Sequence, residues 1–128
     1  MLVDDNKHDN FFHEREIKKA NFETIVITKE SGDEALEYLN SMIDSDSNKP
    51  ILIFLDINMP GMDGWEFLDK YNKLDKDIQS GIIVVMLTTS DNPETKARAM
   101  SWSSVIDYIA KPLTKEIMEI INNKYLKL

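Results

Sequence analysis

The chain has 128 residues, the length of one domain, and can bury about two-thirds of its unfolded surface without a disulfide or structural metal. It has no Cys, which excludes a disulfide scaffold, thiol catalysis, zinc knuckles and Fe–S sites. Its 15 basic and 23 acidic residues give a net charge of −8, an anionic surface that argues against general nucleic-acid binding.

The charge is uneven. Residues 1–50 carry a net −6, residues 51–91 a net −4 and residues 92–128 a net +2, so the last third is the least acidic surface and suits an acidic partner. The longest apolar runs, Ile51–Leu55 and Ile82–Leu87, fall far short of the ~18 residues of a membrane span. The start, Met1-Leu2-Val3-Asp4-Asp5, has neither a basic end nor a signal-length apolar stretch. A cytoplasmic, single-domain protein over 1–128 with no membrane partner is the expectation.

Leu2-Val3 is a stub of strand ending in two Asp. Lys7 to Ala20 reads as a helix with a weak apolar stripe of Phe12, Ile17 and Ala20. Thr24–Thr28 is β-branched throughout and predicts a strand. Ser31 and Glu34 form a capping box, opening a helix whose core face is Ala35, Leu39, Met42 and Ile43. Asp44–Pro50 reads as a loop. Ile51–Leu55 is continuously apolar, which predicts a strand covered on both faces. Gly64 to Leu74 is a helix with Trp65, Leu68 and Tyr71 inward, and Ile82–Leu87 is a second buried strand. Asn92-Pro93 pairs an N-cap with Pro at the first helical position, and the helix runs to about Trp102. Val105–Ile109 is the last strand. Thr114 caps a final helix with Ile117, Ile120, Ile121 and Tyr125 on one side.

Five strands alternating with five helices predict an α/β fold with parallel strands, right-handed crossovers and helices on both faces. In such open sheets the chemistry lies beyond the carboxyl ends of the strands. There the sequence places Asp4-Asp5 after the first strand, Asp56 after the third, Thr88-Thr89 after the fourth and Lys111-Pro112 after the fifth. Singly, an Asp pair or a Lys-Pro is an ordinary turn. Asp56 is less ordinary, because Leu55 and Ile57 flank it and a buried charge needs a partner. Three clustered carboxylates repel one another, and a divalent hard cation relieves that conflict. Oxygen ligands without His or Cys select Mg²⁺ over Zn²⁺. Thr88 can donate to a phosphoryl oxygen, Lys111 can neutralise one, and an Asp can form an acyl phosphate. No Gly-rich phosphate loop follows any strand.

With these residues in place, the chain resembles the receiver domain of two-component response regulators, the CheY-like family. The motifs are Leu2-Val3-Asp4-Asp5-Asn6, Phe54 through Gly64, Leu87-Thr88-Thr89 and Tyr108-Ile109-Ala110-Lys111-Pro112, spanning nearly the whole chain. The Asp56-to-Gly64 segment is the most specific. The resemblance implies a doubly wound five-stranded sheet in the order 2-1-3-4-5. It implies Asp56 as phosphoacceptor, Asp5 as direct Mg²⁺ ligand, Asp4 acting through water and Asn58 ligating through its carbonyl. It further implies Thr88 and Lys111 as the phosphoryl-binding pair, Tyr108 as an aromatic rotamer switch and a cis Lys111–Pro112 bond. The partners implied are a histidine kinase or histidine phosphotransfer protein and a downstream protein target. The domain would assist its own phosphorylation and dephosphorylation while serving mainly as a switch.

Three departures stand out. Only three residues precede Asp4, so a short first strand, or one whose start is missing from this sequence, is the expectation. The helix-to-strand exit Ser101-Trp102-Ser103-Ser104-Val105 lacks the family's usual Gly and so its easy left-handed cap. Thr89 stands where a smaller residue is common. His8 and His13 fall on the first helix, and His8, near the site, reads as a surface residue. The Met residues read as filler and Trp65 and Trp102 as packing residues. Two other functions share parts of this pattern. An aspartyl-phosphate phosphatase of the haloacid-dehalogenase type needs a second Asp two residues after its nucleophile, where this chain has Asn58. A non-phosphorylated interaction module would have no need of Asp4, Asp5, Asp56, Thr88 and Lys111 together.

Overall fold

A computed structural model describes residues 1–42, 50–89 and 92–126. The predicted core position Ile43 and nearly all of the Asp44–Pro50 loop lie outside the described residues. Five parallel strands are ordered β2-β1-β3-β4-β5, as the resemblance implied. They are β1 (Leu2–Val3), β2 (Thr28–Lys29), β3 (Leu52–Asp56), β4 (Ile83–Thr88) and β5 (Val105–Ala110). The helices are α1 (Lys7–Ala20), α2 (Gly32–Asn40), α3 (Gly64–Tyr71), α4 (Lys76–Gln79), α5 (Pro93–Met100) and α6 (Lys115–Ile121), the last running into a π-helical turn, Asn122–Leu126.

The continuous apolar strands are covered on both faces. On one side Ile53, Leu55, Val84 and Met86 pack with Leu39 of α2, Phe67 of α3 and Ala99 of α5. On the other, Phe54, Val85 and Leu87 meet Ile17 of α1 and Met118 and Ile121 of α6. The caps follow the sequence. The Ser31 hydroxyl accepts from the Glu34 amide at 3.1 Å, while the Glu34 carboxylate reaches back to the Glu30 amide at 3.1 Å. Asn92 accepts from the Glu94 amide at 2.8 Å, ahead of Pro93.

Several expectations are corrected. The strand predicted at Thr24–Thr28 is reduced to Thr28–Lys29. The register Leu2↔Thr28 and Val3↔Lys29 leaves Thr24–Val26 opposite no residue of β1. Phe12 is 42% exposed, and the inward face of α1 is instead Asn10, His13, Glu16 and Ile17. Ile120 is 61% exposed because the buried arc of α6 runs through Met118 and Ile121. α2 stops at Asn40, leaving Met42 beyond it, and the missed Leu36 joins its buried face. α3 stops at Tyr71, where tighter bonds from Lys73 to Lys70 and Leu74 to Tyr71 take over. Its inward face includes the missed Phe67, while Trp65 is only half-buried. α4 was not predicted; Asp75 caps it through the Asp77 amide.

α5 ends without a glycine. Ser101 takes a right-handed conformation, φ −74° and ψ −16°, and its hydroxyl donates to the Arg98 carbonyl at 2.6 Å. A serine hydroxyl thus ties down the exit that a left-handed residue commonly provides.

The segment after β3 sets the position of the site. Ile57, Met59 and Met62 are buried, while Asn58, Pro60 and Gly61 face solvent. Gly61 turns the chain at φ +74°. The Gly64 amide then donates to the Ile57 carbonyl at 2.8 Å, and a Cβ on Gly64 would lie 2.8 Å from both the Asp56 carbonyl oxygen and the Ile57 Cα. Backbone cannot yield there as a flexible side chain can. Gly64→Ala is therefore expected to cost about 2 kcal/mol, typical of overpacking. Urea denaturation checks it, and an unchanged midpoint would show that the α3 start can slide outward.

Candidate functional site

The ends of β1, β3 and β5 converge on one acidic cluster. Oxygens of Asp4, Asp5 and Asp56 lie within 4.8 Å of one another. Asp4 and Asp56 are 4% and 7% exposed, whereas Asp5 is open to solvent. The Lys111 ammonium enters from β5, donating to Asp4 Oδ2 at 2.6 Å and Asp9 Oδ2 at 2.9 Å, and it stands 3.5 Å from Asp56 Oδ1.

Each side chain is held locally. The Asn6 amide donates to Asp4 Oδ1 at 2.9 Å, and Asn6 in turn caps α1 by accepting from the His8 and Asp9 amides. The Asn10 side-chain amide donates to the Asp4 carbonyl at 2.9 Å. Both Asp4 oxygens are thus engaged, by a backbone amide and by an ammonium. The Lys111 amide donates to the Thr88 carbonyl at 2.7 Å, which ties the ends of β4 and β5 together. The Lys111–Pro112 bond is cis.

Electrostatics follow from this crowding. Burial first, and then the Asp4 charge, push the Asp56 carboxyl up from 3.8 to about 6, against the pull of Lys111. Burial alone would lower the pKa of Lys111, but its bonds to Asp4 and Asp9 and the charge of Asp56 override that and raise it. His13, buried on α1, is held below its ordinary pKa by burial and then by Lys111.

Thr88 is fully buried at the end of β4. With the exposed Asn58 it lines a cleft of about 350 Å³, whose far wall is Trp65, Glu94 and Arg98. The Arg98 guanidinium stacks 4.2 Å from the Trp65 ring centroid. Tyr108 is buried on β5 opposite Met86, in the core rather than at the carboxylates. His8 is exposed, and so is Thr89 just past β4. Trp102 is half-buried against the core.

The structure therefore unites Asp4, Asp5, Asp56 and Lys111, and sets Asn58 and Thr88 on an adjoining cleft. Sequence reasoning missed Asp9, Asn10 and His13. Their one signal was their spacing from Ile17 along α1, which puts Asn10 and His13 on its inward face.

The donor set suits Mg²⁺. It is oxygen only, and it combines two desolvated carboxylates, Asp4 and Asp56, with an exposed one, Asp5. Asp5 and Asp56 could ligate directly. Asp4, with both oxygens occupied, suits a role through water.

Comparison with known proteins agrees with this geometry. A model of the response regulator receiver domain matches residues 1–122. The chain is 30% identical to the probable methanogenesis regulatory protein FilR2 of Methanothrix harundinacea, covering 91% of this chain and 73% of that one. It is 33% identical to the heme response regulator HssR of Staphylococcus haemolyticus over 94% of its length, but spans only 47% of HssR. A two-component response regulator from Cytophaga hutchinsonii superposes with a TM-score of 0.87 at 31% identity, covering 99% and 95% of the two chains. The haloacid-dehalogenase and unphosphorylated-module readings are not favoured. Receiver domains generally bind Mg²⁺ in an acidic pocket and interact with histidine kinases or phosphotransfer proteins. By matched motifs, sheet order and acidic cluster alike, this chain belongs to the response regulator receiver domain family and serves phosphorelay signal transduction.

Proposed function

We propose that Asp56 is the phosphoacceptor of a receiver unit spanning residues 1–128, and that phosphorylation switches a protein-docking face. The observation that carries this reading is the desolvated Asp56 carboxylate, set beside Asp4 and Asp5 and 3.5 Å from Lys111. An Asp56 oxygen attacks the phosphorus of a phosphohistidine on a histidine kinase or phosphotransfer protein. The new O–P bond forms as the P–N bond breaks, and its electron pair returns to the donor imidazole. Asp56 is positioned by β3 and by the bond from the Gly64 amide to the carbonyl of the next residue, Ile57, so little reorganisation is needed.

Mg²⁺, held by Asp5, Asp56 and the Asn58 carbonyl with Asp4 through water, would offset the negative charge gathered around the phosphoryl oxygens. Lys111 neutralises one phosphoryl oxygen, and the Thr88 hydroxyl donates to another. Drawing in Thr88 alters the packing around Tyr108, in the strand beside it. The change spreads to the face of α5, β5 and α6, part of the least acidic third of the chain. Couplings of this kind are worth about 1–3 kcal/mol, enough to bias an existing equilibrium. A cytoplasmic chain with a downstream protein target fits this role; among the described residues no helix is long and apolar enough to cross a membrane.

The test is mass spectrometry after incubation with acetyl phosphate and Mg²⁺. One phosphoryl group, mapped to Asp56 and absent when EDTA replaces Mg²⁺, is the expected result. An unmodified Asp56, or a phosphoryl group on another residue, would overturn the assignment.

A further inference from the structure

Lys111 has two short bonds, and neither goes to Asp56. They go to Asp4 at 2.6 Å and to Asp9 at 2.9 Å, while Asp56 stands at 3.5 Å. Asp9 is not a strand-end residue. It sits in the first turn of α1, where its amide bonds to Asn6 at 3.1 Å and so fixes where its carboxylate reaches. Its side chain is 36% exposed, against 10% for Lys111, so it forms the outer wall of a mostly buried ammonium site. The ammonium must bond a phosphoryl oxygen once Asp56 is modified, yet Asp9 holds it on the α1 side.

We infer that Asp9 is a positioning residue that restrains Lys111 in the unphosphorylated chain, strengthening divalent-cation binding while slowing phosphoryl uptake. The two effects have opposite sign for one electrostatic reason. An added carboxylate attracts Mg²⁺ and repels an incoming phosphodonor dianion. It also draws Lys111, the group that would welcome the phosphoryl, away from Asp56.

This inference rests on Asp56 being the acceptor, and its test uses the whole chain. Mg²⁺ affinity is read from the fluorescence of Trp65, which lines the adjoining cleft, in the wild type, Asp9→Asn and Asp9→Glu. The second-order rate of phosphorylation by acetyl phosphate is measured on each at saturating Mg²⁺. Asp9→Asn is expected to weaken Mg²⁺ about 3- to 10-fold and to speed phosphorylation by a similar factor, the scale of one partly screened charge. Asp9→Glu, which keeps the charge, should stay near the wild type in both. A damaged fold would depress both quantities together, so a joint fall, or no change in either, overturns the inference. Should the wild type gain no phosphoryl group on Asp56, the proposed function itself fails; a phosphorylated wild type with an indifferent Asp9→Asn sinks only the role of Asp9.

Discussion

Asp56→Asn is expected to abolish phosphoryl uptake from acetyl phosphate and, at pH 7, to make the chain more stable. The loss of uptake follows from removing the nucleophilic oxygen. The gain in stability follows from the cost of burying that oxygen as an anion. The folded-state pKa is raised from 3.8 to about 6, chiefly by burial and the Asp4 charge. A folded pKa above the unfolded one means that the fold prefers the neutral acid. Stability contributed by Asp56 is therefore greatest below pH 4, declines as pH rises toward about 6, and is level above that. At about 1.4 kcal/mol per pKa unit, the ionised carboxylate costs about 3 kcal/mol relative to the neutral acid. That shift already includes the attraction of Lys111, so Asn, which matches the neutral acid in size and charge, is expected to gain about 2–3 kcal/mol. Urea melts at pH 4, 5.5 and 7 check the sign: the advantage of Asn should shrink toward pH 4. An Asn variant less stable than the wild type at pH 7 would mean that Lys111 outweighs desolvation.

Lys111→Met is expected to carry the largest loss of stability. It strips the cation from beside Asp4, Asp9 and Asp56, two of them buried, while the thioether fills most of the lysine stem. Breaking a buried pair by removing one partner typically costs about 3–5 kcal/mol, because the surviving charge stays desolvated. The amide bond from residue 111 to the Thr88 carbonyl belongs to the backbone and survives the change, so the ends of β4 and β5 stay joined. The loss should then be largely electrostatic and recoverable. Mg²⁺ should restore much of the stability and should bind about tenfold more tightly than to the wild type, since the competing ammonium is gone. Chemical denaturation with and without Mg²⁺ measures both. A deficit that Mg²⁺ leaves untouched would show that Lys111 acts through packing of its stem.

Most of the fold was legible because its signals are local and strong. The continuous apolar runs at β3 and β4 can be satisfied only by a sheet covered on both faces, and their parallel pairing follows from the intervening helices. Ser31, Asn92 and Thr114 mark helix starts through side chains that reach their own backbone two or three residues on. The strand-end placement of Asp4, Asp5, Asp56, Thr88 and Lys111 comes from the same logic.

What escaped the sequence depends on partners distant in the chain. The inward face of α1 is mostly polar, since Asn10 bonds the Asp4 carbonyl and Glu16 accepts from the Lys115 amide. A hydrophobic-stripe argument therefore promoted Phe12, which solvent claims instead. Asp9 looked like any acidic residue in a first helical turn until Lys111, 102 positions away, came within bonding distance. Helical periodicity tells which residues share a face; it cannot tell which face turns inward when polar groups line it. That choice, and with it the anchoring of Lys111, is made only when the turn after β5 brings Lys111 to the start of α1 and buried donors meet buried acceptors.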